Sequence, residues 1–112
     1  MAANQERRHE RRISAINLAT IEVEGEEAGA EELVGRTLDL SLDGMRVEIV
    51  HALPLASPVH VRFALGDRLL DVEAVVRSTV EVAGEMAAVG LEFTRIADAT
   101  RAELGGYLEA RS

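Results

Sequence analysis

Residues 37–49 read TLDLSLDGMRVEI. Leu38 and Leu40 alternate with Thr37, Asp39 and Ser41. A period of two belongs to a strand with one apolar and one polar face. Leu42-Asp-Gly44 reads as a turn, with Gly44 where a positive φ is often needed. Met45, Val47 and Ile49 then alternate with Arg46 and Glu48. Two alternating runs about a tight turn predict a β-hairpin.

The pattern recurs downstream. Val59, Val61, Phe63 and Leu65 alternate with His60, Arg62 and Ala64, and Gly66-Asp67 follows as a turn. Leu70, Val72, Ala74 and Val76 alternate with Asp71, Glu73, Val75 and Arg77. After a turn near residues 83–85, Val89, Leu91 and Phe93 alternate with Gly90 and Glu92. Connections this short suit antiparallel strands. Upstream, β-branched residues in 13–24 predict a strand, whereas the acidic, small-residue stretch 25–35 reads as a loop or an exposed helical turn.

The period changes after residue 98. Leu104, Tyr107 and Leu108 share one helical face. Asp98 or Thr100 could cap this helix, and Thr100 with Glu103 has capping-box spacing. Gly105 and Gly106 each weaken it by about 1 kcal/mol relative to Ala, so it needs a surface to dock on. The reading is an all-β fold: a six-stranded antiparallel barrel with a C-terminal helix. Closing the barrel removes the edge strands that invite aggregation.

Composition bounds the function. The 112 residues fit one domain and contain no cysteine, hence no disulfide, no thiolate metal site and no thiol nucleophile. The three histidines, His9, His51 and His60, fall in separate segments and predict no metal site. No apolar run is long enough for a membrane-spanning helix, and no apolar leader opens the chain, so a cytoplasmic location is expected. The formal net charge is −8, which argues against DNA or RNA as partners. Phe63 and Phe93 read as core residues. There is no nucleophile motif and no phosphate-cradling glycine loop, so an enzyme is not expected.

Against that acidic background, residues 6–12 read ERRHERR. The bland reading is a solvated helical start or a flexible arm over residues 1–12. As a helix it would set like charges four apart at Glu6–Glu10, Arg7–Arg11 and Arg8–Arg12, which is unfavourable. A bound anion would relieve that repulsion, because the arginine fork matches phosphate bidentately and can stack on a flat ring. Asp39 and Ser41 also have two readings. They could hydrogen-bond nearby backbone as turn residues do, or Asp39 could accept from a ligand's N–H groups while Ser41 offers a hydroxyl.

Together these stretches resemble a PilZ domain, a bacterial receptor module for cyclic di-GMP. The family pattern is RxxxR followed by DxSxxG, here Arg8-His-Glu-Arg-Arg12 and Asp39-Leu-Ser41-Leu-Asp-Gly44. VGLEF at 89–93 is similar to the family's last barrel strand, and the resemblance extends over about residues 5 to 108. Arg7–Arg11 offers a second RxxxR register. Arg8 and Arg12 are preferred, because the second arginine of the family abuts the first strand.

The resemblance implies a stand-alone receptor with an arm over residues 1–12 and a barrel domain over 13–112. Arg7, Arg8 and Arg12 would wrap phosphates and guanine faces, with Ser41 and Gly44 on the barrel side. Guanine N1 and N2 donors would suit Asp39. Arg11 and Gly90 are further candidates for the site. An arginine at position 7 favours an intercalated cyclic di-GMP dimer. Some members carry an aromatic two residues before the last-strand glycine; here that position is Ala88. The ligand would be no cofactor in the catalytic sense, and the signal would pass to an unidentified downstream protein when the arm orders. A ligand-independent interaction module is the alternative.

Overall fold

The computed structural model of the protein describes residues 13–14, 18–25, 29–50 and 52–111. The arm at 1–12, with Arg7, Arg8, His9, Arg11 and Arg12, lies outside them, as does His51. The strands are β1 (Ile13–Ser14), β2 (Leu18–Gly25), β3 (Gly29–Leu40), β4 (Gly44–Ile49), β5 (Pro58–Leu65), β6 (Arg68–Glu81) and β7 (Ala87–Arg95). One helix, α1 (Asp98–Arg111), follows.

All pairings are antiparallel, in the order β1-β3-β2-β5-β6-β7-β4, and β3 also pairs with β4. That last pairing closes β2 to β7 into a six-stranded barrel, with β1 as a short addition on β3. The hairpin that opens the sequence reading is therefore the seam of the barrel.

The core is the inward face of the alternating strands. Ile21, Met45, Val47, Ile49, Val61, Phe63, Val76 and Val89 are each at most 2% exposed. Burying each such side chain stabilises the fold by about 1.5–3 kcal/mol relative to leaving it in water. Leu104 and Leu108 of α1 join this cluster. The helix docks beside two strand turns: Glu103 pairs with Arg68 at 2.6 Å, and Gly105 faces Leu42.

Four local expectations need correction. Residues 29–35 are strand rather than loop, paired residue for residue with β2 from Ala30↔Glu24 to Arg36↔Leu18. Leu33 packs on the core, while Glu22 and Glu32 pair on the exposed side, so the pairing outweighs a loop-like composition. Second, simple alternation fails in β3. Thr37 pairs with Val47 and Asp39 with Arg46, leaving Leu38 as the extra residue of a β-bulge. Thr37 consequently turns inward, where its buried hydroxyl has no partner. Third, the helix starts earlier than either proposed cap, with Arg101 N–H donating to Ala97 C=O at 2.8 Å. Asp98 then sits in the first turn, where its negative charge favourably faces the positive end of the helix dipole, and Glu103 serves the Arg68 pair instead of a capping box. Fourth, Gly44 does not have a positive φ; only Gly66, Gly84 and Ala56 do among the described residues.

Candidate ligand-binding site

Strand register brings the polar residues of several strands into one line. Asp39 stands opposite Arg46, Arg46 opposite Gly90, and Gly90 opposite Ser78. The row runs outward-facing across β3, β4, β7 and β6. On the other side of Asp39 the β1 backbone pairs with it at position 14. Bulges flank it at both ends, at Leu38 and at Arg77, where two residues of β6 face one of β7. Bulges re-aim side chains and are common beside binding sites.

Each member has a defined setting. Arg46 Nε donates to Asp39 Oδ2 at 2.7 Å, and the Asp39 side chain is only 10% exposed. Ser41 is fully buried. Its backbone N–H donates to Gly44 C=O at 2.9 Å, its hydroxyl donates to the same carbonyl at 3.3 Å, and Asp43 N–H donates to its Oγ at 3.3 Å. Ser41 thus fastens the turn that presents Gly44. Glycine is needed at 44 for close approach, because a Cβ there would lie 2.2 Å from Leu91 O. At Gly90 a Cβ would meet Ser78 Oγ at 2.3 Å.

A cavity of about 490 Å³ opens beside this row, bordered by Asp43, Gly44, Arg46, Ser78, Gly90 and Phe93 among others. Phe93 serves two purposes. Its ring is stacked on Phe63 with centroids 6.3 Å apart and planes 13° apart, and it also borders the cavity. Arg77 and Glu92 form an ion pair on the same rim.

Of the residues singled out in the sequence, Asp39, Ser41, Gly44 and Gly90 are brought together. Arg7, Arg8, Arg11 and Arg12 lie outside the described residues. The chain does join the barrel beside the motif, since Ile13 pairs with Leu40 and Ser14 with Asp39. Sequence reasoning missed Arg46, Arg77, Ser78 and Glu92. Arg46 was within reach: it is the outward residue two after Gly44, on the strand that returns past Asp39. The other three depend on the register of β6 on β7, which two bulges shift.

The described residues thus form a small closed barrel with a charged row beside an open cavity. A family model for the PilZ domain matches residues 5–110, and the chain belongs to that family. PilZ domains are receptor and effector domains, not enzymes. Among curated proteins no match was found.

Solved structures share the fold. The inhibitor of motility MotI/DgrA from Bacillus subtilis is 23% identical with a TM-score of 0.77, covering 94% of this chain and 51% of its own. YcgR from Escherichia coli, solved in complex with c-di-GMP, is 20% identical with a TM-score of 0.74, covering 94% and 46%. The PilZ domain of that YcgR, also with c-di-GMP, is 19% identical with a TM-score of 0.68, covering 93% and 90%. The present chain spans about half the length of the first two. Among the described residues, no helix is long and apolar enough to cross a membrane.

Proposed function

We propose that this domain is a receptor for cyclic di-GMP whose site has two halves. Arg7, Arg8 and Arg12, with Arg11 as a further member, come from the arm at 1–12. Asp39, Ser41, Gly44 and Gly90 come from the barrel at 13–112. The observation that carries this reading is the entry of the chain at Ile13–Ser14 opposite Leu40–Asp39. Arg12 directly precedes Ile13 in the sequence, which supports a site shared by the two motifs. The cavity beside Gly44 and Gly90 and the c-di-GMP held by YcgR add support.

The chemistry is consistent. A carboxylate at Asp39 can accept from guanine N1 and N2, and arginine can pair with the O6/N7 edge or with phosphate. Ser41 contributes by holding the turn. Each hydrogen bond to a charged group is worth about 1.5–3 kcal/mol. A few of them meet the roughly 8 kcal/mol of a micromolar complex after the cost of ordering the arm.

In this proposal the ligand orders residues 5–12 against the barrel, and the changed surface is read by a downstream protein. Arg7 favours an intercalated dimer, giving two ligands per domain, and the setting is cytoplasmic. Calorimetric titration with cyclic di-GMP tests the core of it. Absence of heat at protein concentrations of about ten micromolar or more would reject receptor function at physiological affinity. Hydrogen exchange at residues 5–12, unchanged by saturating ligand, would reject the ordering step.

A ligand-independent protein-contact role is the second reading. It is favoured by Val50, Val80 and Val82, which stay 49%, 59% and 43% exposed.

A further inference from the structure

We propose that Arg77 is a phosphate-binding arginine supplied by the barrel, and that Glu92 acts as a latch that withholds it until ligand arrives. The inference rests on the receptor reading above and adds a barrel-borne cation and an opposing carboxylate to that site.

Three observations carry it. Arg77 is the extra residue of the β6 bulge, between Val76 opposite Leu91 and Ser78 opposite Gly90. The bulge leaves Arg77 and Ser78, consecutive residues, both exposed beside the cavity. Glu92 stands directly opposite Gly44 in the β4–β7 register, so its carboxylate flanks the glycine that ends the motif. Arg77 Nε donates to Glu92 Oε1, and both residues border the cavity with Gly44, Arg46, Ser78 and Gly90.

The two arginines on this rim differ in how firmly they are held. Arg46 grips a carboxylate that is 10% exposed, where a charge pair is poorly screened and costly to part. Arg77 and Glu92 are 59% and 51% exposed, so either can leave its partner for water. An exposed pair of this kind holds by roughly fivefold at most and weakens with salt. A phosphodiester laid over Gly44 would meet Glu92 as a like charge and Arg77 as a bidentate donor. The favourable outcome is exchange: Arg77 turns from Glu92 to phosphate, and Glu92 turns to solvent. Glu92 then lowers affinity, keeping the empty site from taking up anions that cannot also engage Asp39 and the arm.

The test is titration of wild type, Glu92→Gln, Arg77→Gln and the double variant with cyclic di-GMP at low salt. Glu92→Gln should tighten binding by about three- to tenfold, and Arg77→Gln should weaken it by about tenfold. In the Arg77→Gln background, Glu92→Gln should lose most of its effect. Inorganic phosphate serves as a second probe and should compete better with the Glu92→Gln protein than with wild type. Thermal melts of the unliganded variants, expected within a few degrees of wild type, separate folding from binding; if Arg77→Gln melts early, Arg77→Lys takes its place. If wild type binds and Glu92→Gln binds no more tightly, the latch is wrong and the receptor reading stands. If wild type does not bind, both fall together.

Discussion

Arg46 and Asp39 face each other across the seam of the barrel, and the arginine Nε holds Asp39 Oδ2 at 2.7 Å. The carboxylate is nearly buried, whereas Arg46 keeps 54% of its side-chain exposure. The arginine therefore fixes the direction of the carboxylate while remaining hydrated itself. In the receptor reading, Asp39→Ala removes the acceptor for guanine and should weaken cyclic di-GMP binding at least about tenfold, close to one charged hydrogen bond. Arg46→Ala leaves the acceptor and removes one of its partners, so a smaller loss is expected. Calorimetry that ranks Arg46→Ala above Asp39→Ala in cost would contradict this division.

The two site glycines should respond differently to alanine. At Gly44 the new methyl would press on Leu91 O, a backbone atom that cannot step aside. Gly44→Ala should destabilise the barrel by about 1–3 kcal/mol, with no rescue by a side-chain change nearby. At Gly90 the obstacle is Ser78 Oγ. Gly90→Ala should cost less, and Ser78→Ala should recover most of the loss. Urea denaturation of the four-member cycle checks this; simple additivity would mean that the hydroxyl is not the obstacle.

Gly106 offers a gain. Nothing lies within 4 Å of a Cβ built on it, and it sits inside α1. Gly106→Ala should stabilise the protein by about 0.5–1 kcal/mol through helix propensity. A fall in melting temperature would indicate that the glycine is needed for something other than helix formation.

The acid limb of the stability curve carries a small signature of Asp71. Its carboxyl is held below the usual carboxylate range chiefly by the hydrogen bond from His60, with Arg62 assisting and burial opposing. A lowered folded-state pKa stabilises the fold above the unfolded value, and that contribution is lost as pH falls through the folded value. Asp71→Asn should therefore be slightly less stable than wild type near neutral pH, and the two should converge below about pH 4. The group is nearly half exposed, so the difference should be small and should shrink with added salt. A gap that widens on acidification would reverse the assignment.

Much of the barrel was legible because period two survives in β4, β5, the first part of β6 and the first part of β7, where inward residues are apolar and most outward ones charged or small. The seam was legible for the same reason, and its Asp39, Ser41 and Gly44 stood out as polar residues and glycine at a turn. What escaped had long-range causes. Residues 29–35 became strand through pairing with β2, and Thr37 turned inward through a bulge whose register is set by β4. Ser78 faces the site only through a second bulge, and Arg77 meets Glu92 only through pairing with a strand a dozen residues further on. Ser41 stood out in the sequence with two readings, and its hydroxyl bonds Gly44 and Asp43, which sequence spacing alone could not distinguish from ligand contact.

The closing pairs of the barrel also set an order of assembly. Asp39, Ser41 and Gly44 lie on one local hairpin, which closes quickly. The cavity rim at Gly90 and Ser78 needs β4 to find β7, joining residues as distant as Met45 and Leu91. Such non-local pairing comes late and slows folding. A molecule that grips both hairpin and β7 has nothing complete to hold until the barrel has shut. Occupancy of the site should thus lengthen the lifetime of the closed form and leave its rate of formation unchanged. If the receptor reading holds, saturating cyclic di-GMP should lower only the unfolding arm of stopped-flow chevrons; acceleration of refolding would place the β4–β7 contact before the barrier. In the receptor reading, the β4–β7 contact would then govern how long the domain persists as well as where its ligand sits.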